Sequence, residues 1–328
     1  MRDGTPRSTG LLLWLTVAFP FTATVGLASP RTEVIVANAV YPEGPVWTGG
    51  RLFFVEYGGA GIKLWNGRAA NGRAANGGAD LGRADSGGAR PFWTGDHCGP
   101  SGLIVYHGTH LLVACYDSNT VVEVDEHGKT VRSFDRDSAG NPFLGPNDFA
   151  ADGKGGLYFS ASGVYDVKAP ITGTVLHLSA DGRISEVAGT IHYPNGLTVS
   201  PDGSTLLVAE DLAGRILAFV IHPDGTLGAR SVWARLRDLA PPTPHEDAYN
   251  GPDGLKFGPD GNVYVAQNGS GRVLVVGPDR HLIRTIEVPT PYVTNVNFGA
   301  DGSGTLYITG VFDPWKSPYP GAVYRWTP

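Results

Sequence analysis

The sequence predicts an all-β fold, a six-bladed β-propeller whose blades each contain four strands. Three observations predict it: a pattern of short strands recurs six times, glycine and proline are abundant, and no segment keeps an apolar period near 3.6 residues. The 328 residues include 47 glycines and 25 prolines, but only 17% are charged. This composition is typical of short strands joined by turns, and a repeat of roughly 40 to 60 residues is the usual size of a propeller blade.

The first element is a predicted signal peptide over residues 1–28. Arg2 and Arg7 precede the apolar run LLLWLTVAFPFTATVGLA, which ends in small residues that fit a cleavage site. An uncleaved membrane anchor is the alternative, but Pro20 and three threonines weaken such a helix, and a run of roughly 18 residues is short for a membrane span. We therefore expect an exported protein, periplasmic or secreted, that has no membrane association after cleavage.

The two cysteines, Cys98 and Cys115, could form a disulfide in an exported protein. Two unpaired, partly buried thiols are the alternative, and the sequence does not decide between them. The chain has no CxxC motif, so neither a redox motif nor a zinc-thiolate site is supported.

Residues 66–90, NGRAANGRAANGGADLGRADSGGAR, form a low-complexity segment that repeats NGRAA and has no apolar periodicity. We predict a flexible surface loop here. A linker between two domains is the alternative, but the same strand pattern continues on both sides. Residues 29–328 are therefore predicted to form one propeller domain that carries this loop as an insertion.

The blades are predicted from six aligned copies of one pattern. Each copy has a short alternating strand, a glycine-centred turn, a second strand and a third, and most copies add a fourth. The copies begin with YPEGPVWTGGRLFFVE (41–56), CGPSGLIVYHGTHLLVAC (98–115), GPNDFAADGKGGLYFS (145–160), YPNGLTVSPDGSTLLVAE (193–210), GPDGLKFGPDGNVYVA (251–266) and YVTNVNFGADGSGTLYIT (292–309). The sixth copy ends after its third strand, and the orphan strand TEVIVANAV at 32–40 is predicted to complete it and close the ring.

The fifth copy contains the tripeptide PDG twice, and the two occurrences have different predicted roles. The occurrence at 259–261 aligns with the hairpin turn between the first and second strands of other copies. The occurrence at 252–254 aligns with the start of the innermost strand, which lines the central channel of a propeller. The residues that share this register in four copies are Glu43, Asn147, Asn195 and Asp253. Their side chains are therefore predicted to converge near one mouth of the channel.

Two carboxylates and two amide oxygens in one place are the donors of a hard-cation site. Ca²⁺ is the favoured ion, with Zn²⁺, Mg²⁺ and Mn²⁺ as alternatives. The simpler interpretation is that these residues cap turns, since Asn-Gly and Asp-Gly are common turn sequences. Glu43 argues against it, because glutamate is a poor turn residue and yet holds the same position in the first copy. We therefore predict one divalent metal ion with coordination positions open to water or substrate.

The motifs EGPVW, PNDFAADGKGGLYFS, PNGLTVSPDGSTLLVAED and GPDGLKFGPDGNVYVA, in this order, resemble the gluconolactonase, senescence-marker-protein and luciferin-regenerating-enzyme family. The resemblance covers about residues 41–310. It implies a six-bladed propeller that hydrolyses sugar lactones, such as gluconolactone, with a divalent metal ion. By this resemblance, Glu43, Asn195 and Asp253 match metal ligands. Asp253 also matches the proposed general base, and Asn147 matches a position close to metal and substrate.

One departure from the family pattern concerns substrate binding. Some members place a substrate-binding arginine two residues before the asparagine that matches Asn147, and this chain has Gly145 there. The hydroxyl groups of a sugar must therefore be held differently, so the resemblance does not imply a particular sugar.

The expected reaction is attack of water on a lactone carbonyl that a metal ion polarises, with Asp253 accepting the proton of the water. A carboxylate beside a dication has a lowered pKa, so Asp253 would stay ionised and be a weak base. A lactone is an activated ester, for which a weak base suffices.

Four further residues are weaker candidates. His97 precedes the second copy and is predicted to reach substrate at the same mouth, although a plain loop histidine is the favoured interpretation. Asp166, in a loop of the third copy, is a candidate for substrate hydroxyls. His192 could reach the rim, but it fits an ordinary loop residue better. Asp148 adjoins Asn147, and strand alternation predicts that it points away and braces the inner strand.

Three functions compete at this point. The first is a lactonase, and the second is a phosphotriesterase-like hydrolase, because diisopropyl-fluorophosphatase and paraoxonase are related propellers with similar Ca²⁺ sites. The third is a non-catalytic binding propeller in which the metal only ties the blades together. A metal-free site like that of the strictosidine-synthase-like propellers is disfavoured by Glu43 and Asp253.

The expected partner is a small-molecule lactone. The net charge of −6 offers no basic surface, so nucleic acid is not an expected partner. A monomer is expected, because no exposed apolar helix or sheet edge in the pattern requires a second copy.

Overall fold

Six four-stranded antiparallel sheets form a β-propeller in the computed structural model of this chain. The structure describes residues 1, 31–65, 67, 88–243, 247, 249–299 and 302–328. Within these ranges, helix is limited to a single 3-10 turn at Asp211–Ala213 and to α1, Leu236–Leu239. The predicted fold class is confirmed.

Ring closure is made by the N-terminal strand, as predicted. This strand, β1 (Arg31–Val40), pairs antiparallel with the last strand of the chain and is the outermost strand of the sixth blade. Two sheet edges that would otherwise be open are thereby paired.

The next three blades follow in chain order. Blade 1 contains β2 (Pro42–Thr48), β3 (Arg51–Glu56), β4 (Gly61–Trp65) and β5 (Ala89–Thr94). Blade 2 contains β6 (Pro100–Tyr106), β7 (His110–Cys115), β8 (Thr120–Val124) and β9 (Thr130–Phe134). Blade 3 contains β10 (Pro146–Ala151), β11 (Leu157–Ala161), β12 (Gly173–Leu178) and β13 (Ile184–Ile191).

The remaining blades complete the ring. Blade 4 contains β14 (Pro194–Val199), β15 (Thr205–Glu210), β16 (Arg215–Val220) and β17 (Ser231–Arg235). Blade 5 contains β18 (Pro252–Phe257), β19 (Val263–Gln267), β20 (Arg272–Val276) and β21 (Leu282–Glu287). Blade 6 contains β22 (Tyr292–Phe298), β23 (Leu306–Val311), β24 (Pro320–Thr327) and β1.

The first strand of each blade is its innermost strand. Strands β2, β6, β10, β14, β18 and β22 contact one another in this order around the ring, and β22 returns to β2. The two PDG tripeptides of blade 5 accordingly differ, as predicted: residues 252–254 begin the inner strand β18, and residues 259–261 form the turn into β19.

The hydrophobic core is divided among the six interfaces between neighbouring blades. Strand β7 shows why, because Leu111, Val113 and Cys115 face blade 1, while Leu112 and Ala114 face blade 3. Alternate side chains of one strand point to opposite faces of the sheet, so a strand covered on both faces must be apolar throughout. This explains short runs such as HLLVAC, in which polar and apolar residues do not alternate.

Two predicted segments fall mostly outside the described residues. The predicted signal peptide, 1–28, lies outside them except for residue 1, and so does most of the low-complexity segment at 66–90. The described ends of the latter place it between β4 and β5, with Ala89 and Arg90 already in β5. In the described ranges, no helix has the length and apolar character needed to cross a membrane.

A disulfide joins Cys98 and Cys115. The sequence left this pairing open, and the sheet register explains it: Pro100 is paired with Cys115 across β6 and β7, so Cys98 passes close to the end of β7. The two Cα atoms lie 4.5 Å apart, and both side chains belong to the core between blades 1 and 2.

We expect replacement of both cysteines by serine to lower the free energy of unfolding by about 3 kcal/mol, because the bond closes a loop of 17 residues in the unfolded chain. Urea unfolding of the double variant and of the oxidised wild type measures this difference. Wild type treated with a reductant is the matched control and should lose a similar amount. Equal midpoints for all three samples would show that the bond does not stabilise the fold.

Candidate active site

One cavity at a mouth of the channel collects the four residues that share the inner-strand register. Its volume is about 340 Å³. Glu43, Asn147, Asn195 and Asp253 all line it, and each is less than 9% exposed. They stand second in β2, β10, β14 and β18, directly after the proline that begins each strand. Four blades therefore contribute one polar side chain each to a single site.

A register shift follows each of these positions and aims the side chain. The ladder between β18 and β19 jumps from Pro252 to Leu255, and β2, β10 and β14 have equivalent shifts. Such bulges re-aim side chains next to functional sites. In three of the four strands, glycine follows the site residue and lets neighbouring inner strands approach closely. A Cβ on Gly196 would lie 2.6 Å from the carbonyl oxygen of Asp253.

Asp253 is the most buried of the four residues, at 3% exposure. Its Oδ2 accepts a hydrogen bond of 2.9 Å from Nδ2 of Asn268, while its buried Oδ1 has no protein partner. Burial raises the pKa of Asp253 to about 8, against the lowering effect of the Asn268 hydrogen bond, and repulsion by Asp148 adds to the rise. The carboxylate is thus held in place by one oxygen and unsatisfied at the other.

Asp211 is a third carboxylate in the cavity that the sequence did not single out. It follows β15 and is 2% exposed. Nδ2 of Asn195 donates to its Oδ2 at 3.4 Å, and its buried Oδ1 has no partner. Burial, and then repulsion by Asp253, raises the pKa of Asp211 well above its usual range.

Glu43 completes the acidic floor of the cavity. Its Oε2 accepts a hydrogen bond of 3.3 Å from the backbone N–H of Gly44. Burial raises the pKa of Glu43, and repulsion by Asp253 and Asp148 raises it further. Glu43, Asp211 and Asp253 are therefore all destabilised as anions in the same space.

Lys256, the lysine in the channel, binds Asp148 and two backbone carbonyl groups rather than the cavity carboxylates. Nζ of Lys256 lies 3.5 Å from Oδ2 of Asp148 and donates to the carbonyl oxygens of Phe149 and Leu197, at 3.1 Å each. Lys256 and Asp148 do not line the cavity. The three cavity carboxylates consequently have no described cationic side chain to compensate them.

The donor set fits a divalent cation. Buried charges in proteins are paired or coordinate metals, and two buried carboxylate oxygens here have no partner. Carboxylate and amide oxygens are the donors that Ca²⁺ takes. In the described part of the chain, no group of three or more His, Cys, Asp or Glu side chains has the arrangement of a metal site. A cation would therefore depend on the amides of Asn147 and Asn195 as well as on Glu43 and Asp253.

The weaker candidates lie outside this cavity. The His97 side chain is 91% exposed and lies 3.5 Å from Asp96. Asp166 accepts a hydrogen bond from the backbone of Lys168 at its own loop. His192 does not line the cavity, although its neighbour Tyr193 does. The structure thus brings together the four inner-strand residues and leaves these three apart.

Asp148 contacts other blades rather than only its own strand. Besides Lys256 of blade 5, Nδ2 of Asn295 of blade 6 lies 3.5 Å from its Oδ2. The register shift between Pro146 and Phe149 interrupts regular alternation at this point. The residue points away from the cavity, and its bracing role extends across the channel.

Asp211 and Asn268 could have been found from the strand pairing. Each comes directly after the second strand of its blade, and the last residue of that strand pairs with the proline that begins the inner strand: Pro194 with Glu210, and Pro252 with Gln267. A polar residue one position beyond this pair therefore lies beside the site residue. The sequence signal is the polar end of VAED and of VAQN.

Aromatic side chains form the walls of the cavity. The wall residues are Tyr41, Tyr57, Tyr116, Tyr165, Tyr193, Trp315 and Tyr319. Burial raises the pKa of Tyr41, Tyr116 and Tyr193, so these hydroxyls stay protonated. A Cβ on Gly145 would lie 2.6 Å from the ring of Tyr116, so a tyrosine excludes a larger residue at position 145.

We expect the metal-free chain to lose stability as the pH rises from 5 to 8. A carboxyl whose folded pKa is raised keeps its proton in the folded state and releases it on unfolding, so the free energy of unfolding falls with rising pH up to the folded pKa. Asp253, with a pKa of about 8, extends this loss across the whole interval. In EDTA, Tm should be lower at pH 8 than at pH 5 by roughly 5 °C or more.

Two controls separate this effect from other titrating groups. Asp253→Asn should show a smaller fall of Tm in EDTA, since it removes one of the carboxyl groups whose pKa burial raises. Excess Ca²⁺ should shrink the fall in the wild type, because an ion that binds the folded state stabilises it. A wild-type Tm in EDTA that is equal at both pH values, or higher at pH 8, would contradict the raised pKa of the buried cavity carboxyls.

The family model described as the SMP-30/Gluconolactonase/LRE-like region matches residues 41–311. Among curated proteins, the chain is 29% identical to a 6-deoxy-6-sulfogluconolactonase of Pseudomonas putida and 30% identical to the diisopropyl-fluorophosphatase of Loligo vulgaris, each over 186 residues. These matches cover 57% and 53% of this chain, and the chain spans only 60% and 56% of the length of these relatives.

A gluconolactonase of Zymomonas mobilis matches over a longer range. It is 25% identical over 294 residues, which are 86% of this chain and 79% of that protein. Among solved structures, a gluconolactonase of Xanthomonas campestris superposes with a TM-score of 0.70 at 22% identity and covers 92% of this chain and 90% of its own. At that identity the structural likeness supports the fold.

Proposed function

The chain belongs to the SMP-30/Gluconolactonase/LRE-like family, and from that premise we propose that it hydrolyses a sugar lactone with the help of one divalent cation. The observation that carries the proposal is the convergence of Glu43, Asn147, Asn195 and Asp253 on one cavity that contains unpartnered carboxylate oxygens. Relatives named as lactonases support the reaction class.

The four inner-strand side chains would hold the cation. When bound, a divalent cation supplies Lewis-acid polarisation of the carbonyl group, and Ca²⁺ is the ion that the oxygen donors favour. The remaining task of the protein is to place a water molecule and a base beside that carbonyl.

Asp253 is positioned to act as this base. Asn268 holds its Oδ2, so the otherwise unpartnered Oδ1 would both contact the cation and accept the proton from water. The hydroxyl of that water adds to the carbonyl carbon, the ring C–O bond breaks, and the proton passes to the ring oxygen as it becomes an alcohol. The product is the open-chain hydroxy acid. Asp253 would stay ionised beside a bound cation, because a neighbouring positive charge would lower its pKa, and an activated ester needs only a weak base.

Phosphotriester hydrolysis is the second candidate. The similarity to a diisopropyl-fluorophosphatase favours it, because the identity of that match is as high as the identities to the lactonases and its name states a different substrate. Such a substrate would use the same cavity, with water attacking phosphorus instead of a carbonyl carbon and with fluoride, or an alcohol in the case of a triester, leaving.

Proton release from a panel of substrates tests the proposal. The purified chain would be offered aldonolactones, simple γ- and δ-lactones, and diisopropyl fluorophosphate, each with EDTA and with Ca²⁺, Mg²⁺, Mn²⁺ or Zn²⁺ restored. We expect metal-restored turnover of aldonolactones. Turnover of the fluorophosphate alone would favour the second candidate, and turnover of nothing would leave a binding propeller.

We also propose that the protein is exported to the periplasm or secreted. The Cys98–Cys115 disulfide supports this location, because disulfides persist in oxidising compartments. Mass spectrometry of chain recovered from outside the cytoplasm should find an N-terminus near residue 29. A full-length chain confined to the cytoplasm would contradict export.

A further inference from the structure

The walls of the cavity are aromatic, and the cavity has no cationic lining. Seven of the residues that line it are tyrosine or tryptophan. Among the described residues, no lysine, arginine or histidine lines it. Lys168 and Lys316 are exposed on neighbouring loops and lie outside the lining.

Three of the wall tyrosines occupy backbone conformations that disfavour side chains. The φ angles of Tyr41, Tyr193 and Tyr319 are 49°, 59° and 58°. Such angles cost a non-glycine residue on the order of 1–2 kcal/mol, and residues held in them cluster at functional sites. Tyr41 and Tyr193 directly precede the proline that begins an inner strand, and at this position in two other blades the residue is glycine, Gly99 and Gly145. The backbone therefore tolerates glycine here, and the tyrosine rings are retained at a cost in stability.

An exposed indole stands at the mouth of the cavity. Trp315 is 64% exposed, although it contacts two other rings. Its ring lies 6.3 Å from that of Tyr165 with an interplanar angle of 20°, and 6.1 Å from that of Tyr249 in an edge-on arrangement. The Tyr165 hydroxyl donates to the carbonyl oxygen of Tyr249, and this hydrogen bond fixes the Tyr165 ring. A flat apolar surface is thus presented to any molecule that enters.

The floor of the cavity offers no cationic partner to an anion. Glu43, Asp211 and Asp253 place three carboxyl groups in it, and Lys256 is already paired with Asp148. An anionic substituent on a substrate would lose its hydration in the cavity and would find no cationic side chain among the described lining residues.

We propose that the aromatic wall, together with the absence of a cationic side chain among the described lining residues, makes the site selective for uncharged ring lactones. Trp315 and Tyr165 would stack on the apolar face of the ring, and lactones that carry a sulfonate, phosphate or carboxylate group would be disfavoured. This inference rests on the proposed lactonase function and names its substrate class. It separates the chain from the similar protein of Pseudomonas putida, whose name states a sulfonated lactone.

The test compares two substrates that differ only in charge at one position. The ratio of kcat/KM for gluconolactone to that for 6-deoxy-6-sulfogluconolactone should be about 100 or more, because a sulfonate in the cavity loses hydration that no cationic side chain of the described lining replaces. Trp315→Arg places a cation at the mouth and should narrow the ratio by roughly tenfold or more. Trp315→Gln is the matched control: it removes the ring without adding charge, so it should raise KM for the neutral lactone and leave the ratio unchanged.

A binding measurement keeps this inference separate from the proposed function. Lactam analogues of the two substrates resist hydrolysis, and their affinities follow from quenching of tryptophan fluorescence. We expect the neutral lactam to bind at least tenfold more tightly than the sulfonated one. Equal kcat/KM values for the two lactones would overturn the selectivity and leave the lactonase function standing. Absence of turnover with both lactones would overturn the lactonase function, and the lactam affinities would then decide whether the site prefers neutral rings.

Discussion

Replacement of Asp253 by asparagine is expected to lower kcat/KM for lactone hydrolysis by about 10³-fold without unfolding the protein. The substitution removes both the proton acceptor and one anionic oxygen of the cation site. The metal-free variant should unfold at the same temperature as the wild type or at a higher one, because an amide replaces a buried carboxylate whose pKa is raised to about 8. A residue that only supported the fold would lower both activity and stability.

The same stretch of sequence provides the control. Asp260 belongs to the second PDG tripeptide of blade 5, at an exposed turn where its Oδ1 accepts a hydrogen bond of 3.1 Å from the backbone of Asn262. Asp260→Asn keeps the turn chemistry and should leave kcat/KM within about twofold of the wild type. Equal activity losses in the two variants, or full activity of Asp253→Asn, would contradict the assigned role of Asp253.

The second large effect concerns Lys256 and stability. Its ammonium group joins blade 5 to Asp148 and Phe149 of blade 3 and to Leu197 of blade 4. Lys256→Met leaves the Asp148 carboxylate, which is 2% exposed, without a cation. Removal of one partner of a buried pair costs about 3–5 kcal/mol, and we expect the lower end because the lysine side chain is 18% exposed. Urea unfolding measures the loss.

Two variants sharpen this test. Lys256→Met combined with Asp148→Asn should recover part of the lost stability, since no uncompensated charge is left. Lys154→Met is the matched single control, because Lys154 donates to the carbonyl oxygen of Pro223 at an exposed site and should contribute less than about 0.5 kcal/mol. If the double variant is instead less stable than Lys256→Met, then Asp148→Asn has not relieved an unpaired buried charge. That result would contradict the ion pair as the source of the stability.

The blade architecture could be predicted because it repeats. Six copies of one pattern fix the number of blades, and the unpaired strand before the first copy indicates how the ring closes. The shared register of four residues was sufficient to predict that they converge from distant parts of the chain on one cavity. These residues are Glu43, Asn147, Asn195 and Asp253. Residues that align between the copies lie at the same height along the propeller axis, so an alignment of the repeats predicts which side chains are close in space.

Residues outside that register could not be placed in this way. Asp211 and Asn268 reach the cavity through the pairing of second strands with inner strands, so the polar ends of VAED and VAQN become informative only once that pairing is known. His97 aligns near the start of an inner strand, but its φ of 52° belongs to a turn that leaves its side chain in solvent. For these residues, local backbone geometry rather than sequence spacing determines whether the side chain reaches the cavity.

The aromatic wall was the largest omission from the sequence prediction. Tyr41 and Tyr193 precede the prolines that begin β2 and β14, where the repeat predicts only a turn. Trp315 belongs to the connection between β23 and β24, and Tyr165 to the equivalent connection between β11 and β12; both are longer than the four-residue connections at this place in the other blades. A ring in a turn has no periodic signature, so only the folded chain shows that rings from several blades share one wall.

The central claim is that four blades hold one divalent cation that lactone hydrolysis requires. Calcium titration of the chain, after it has been stripped with EDTA and freed of chelator, tests this claim when heat and proton release from a neutral aldonolactone are followed together. We predict one ion per chain and turnover that rises from background in step with saturation of that site. Full turnover in the stripped chain, or tight binding of one ion with no turnover of any lactone, would contradict it.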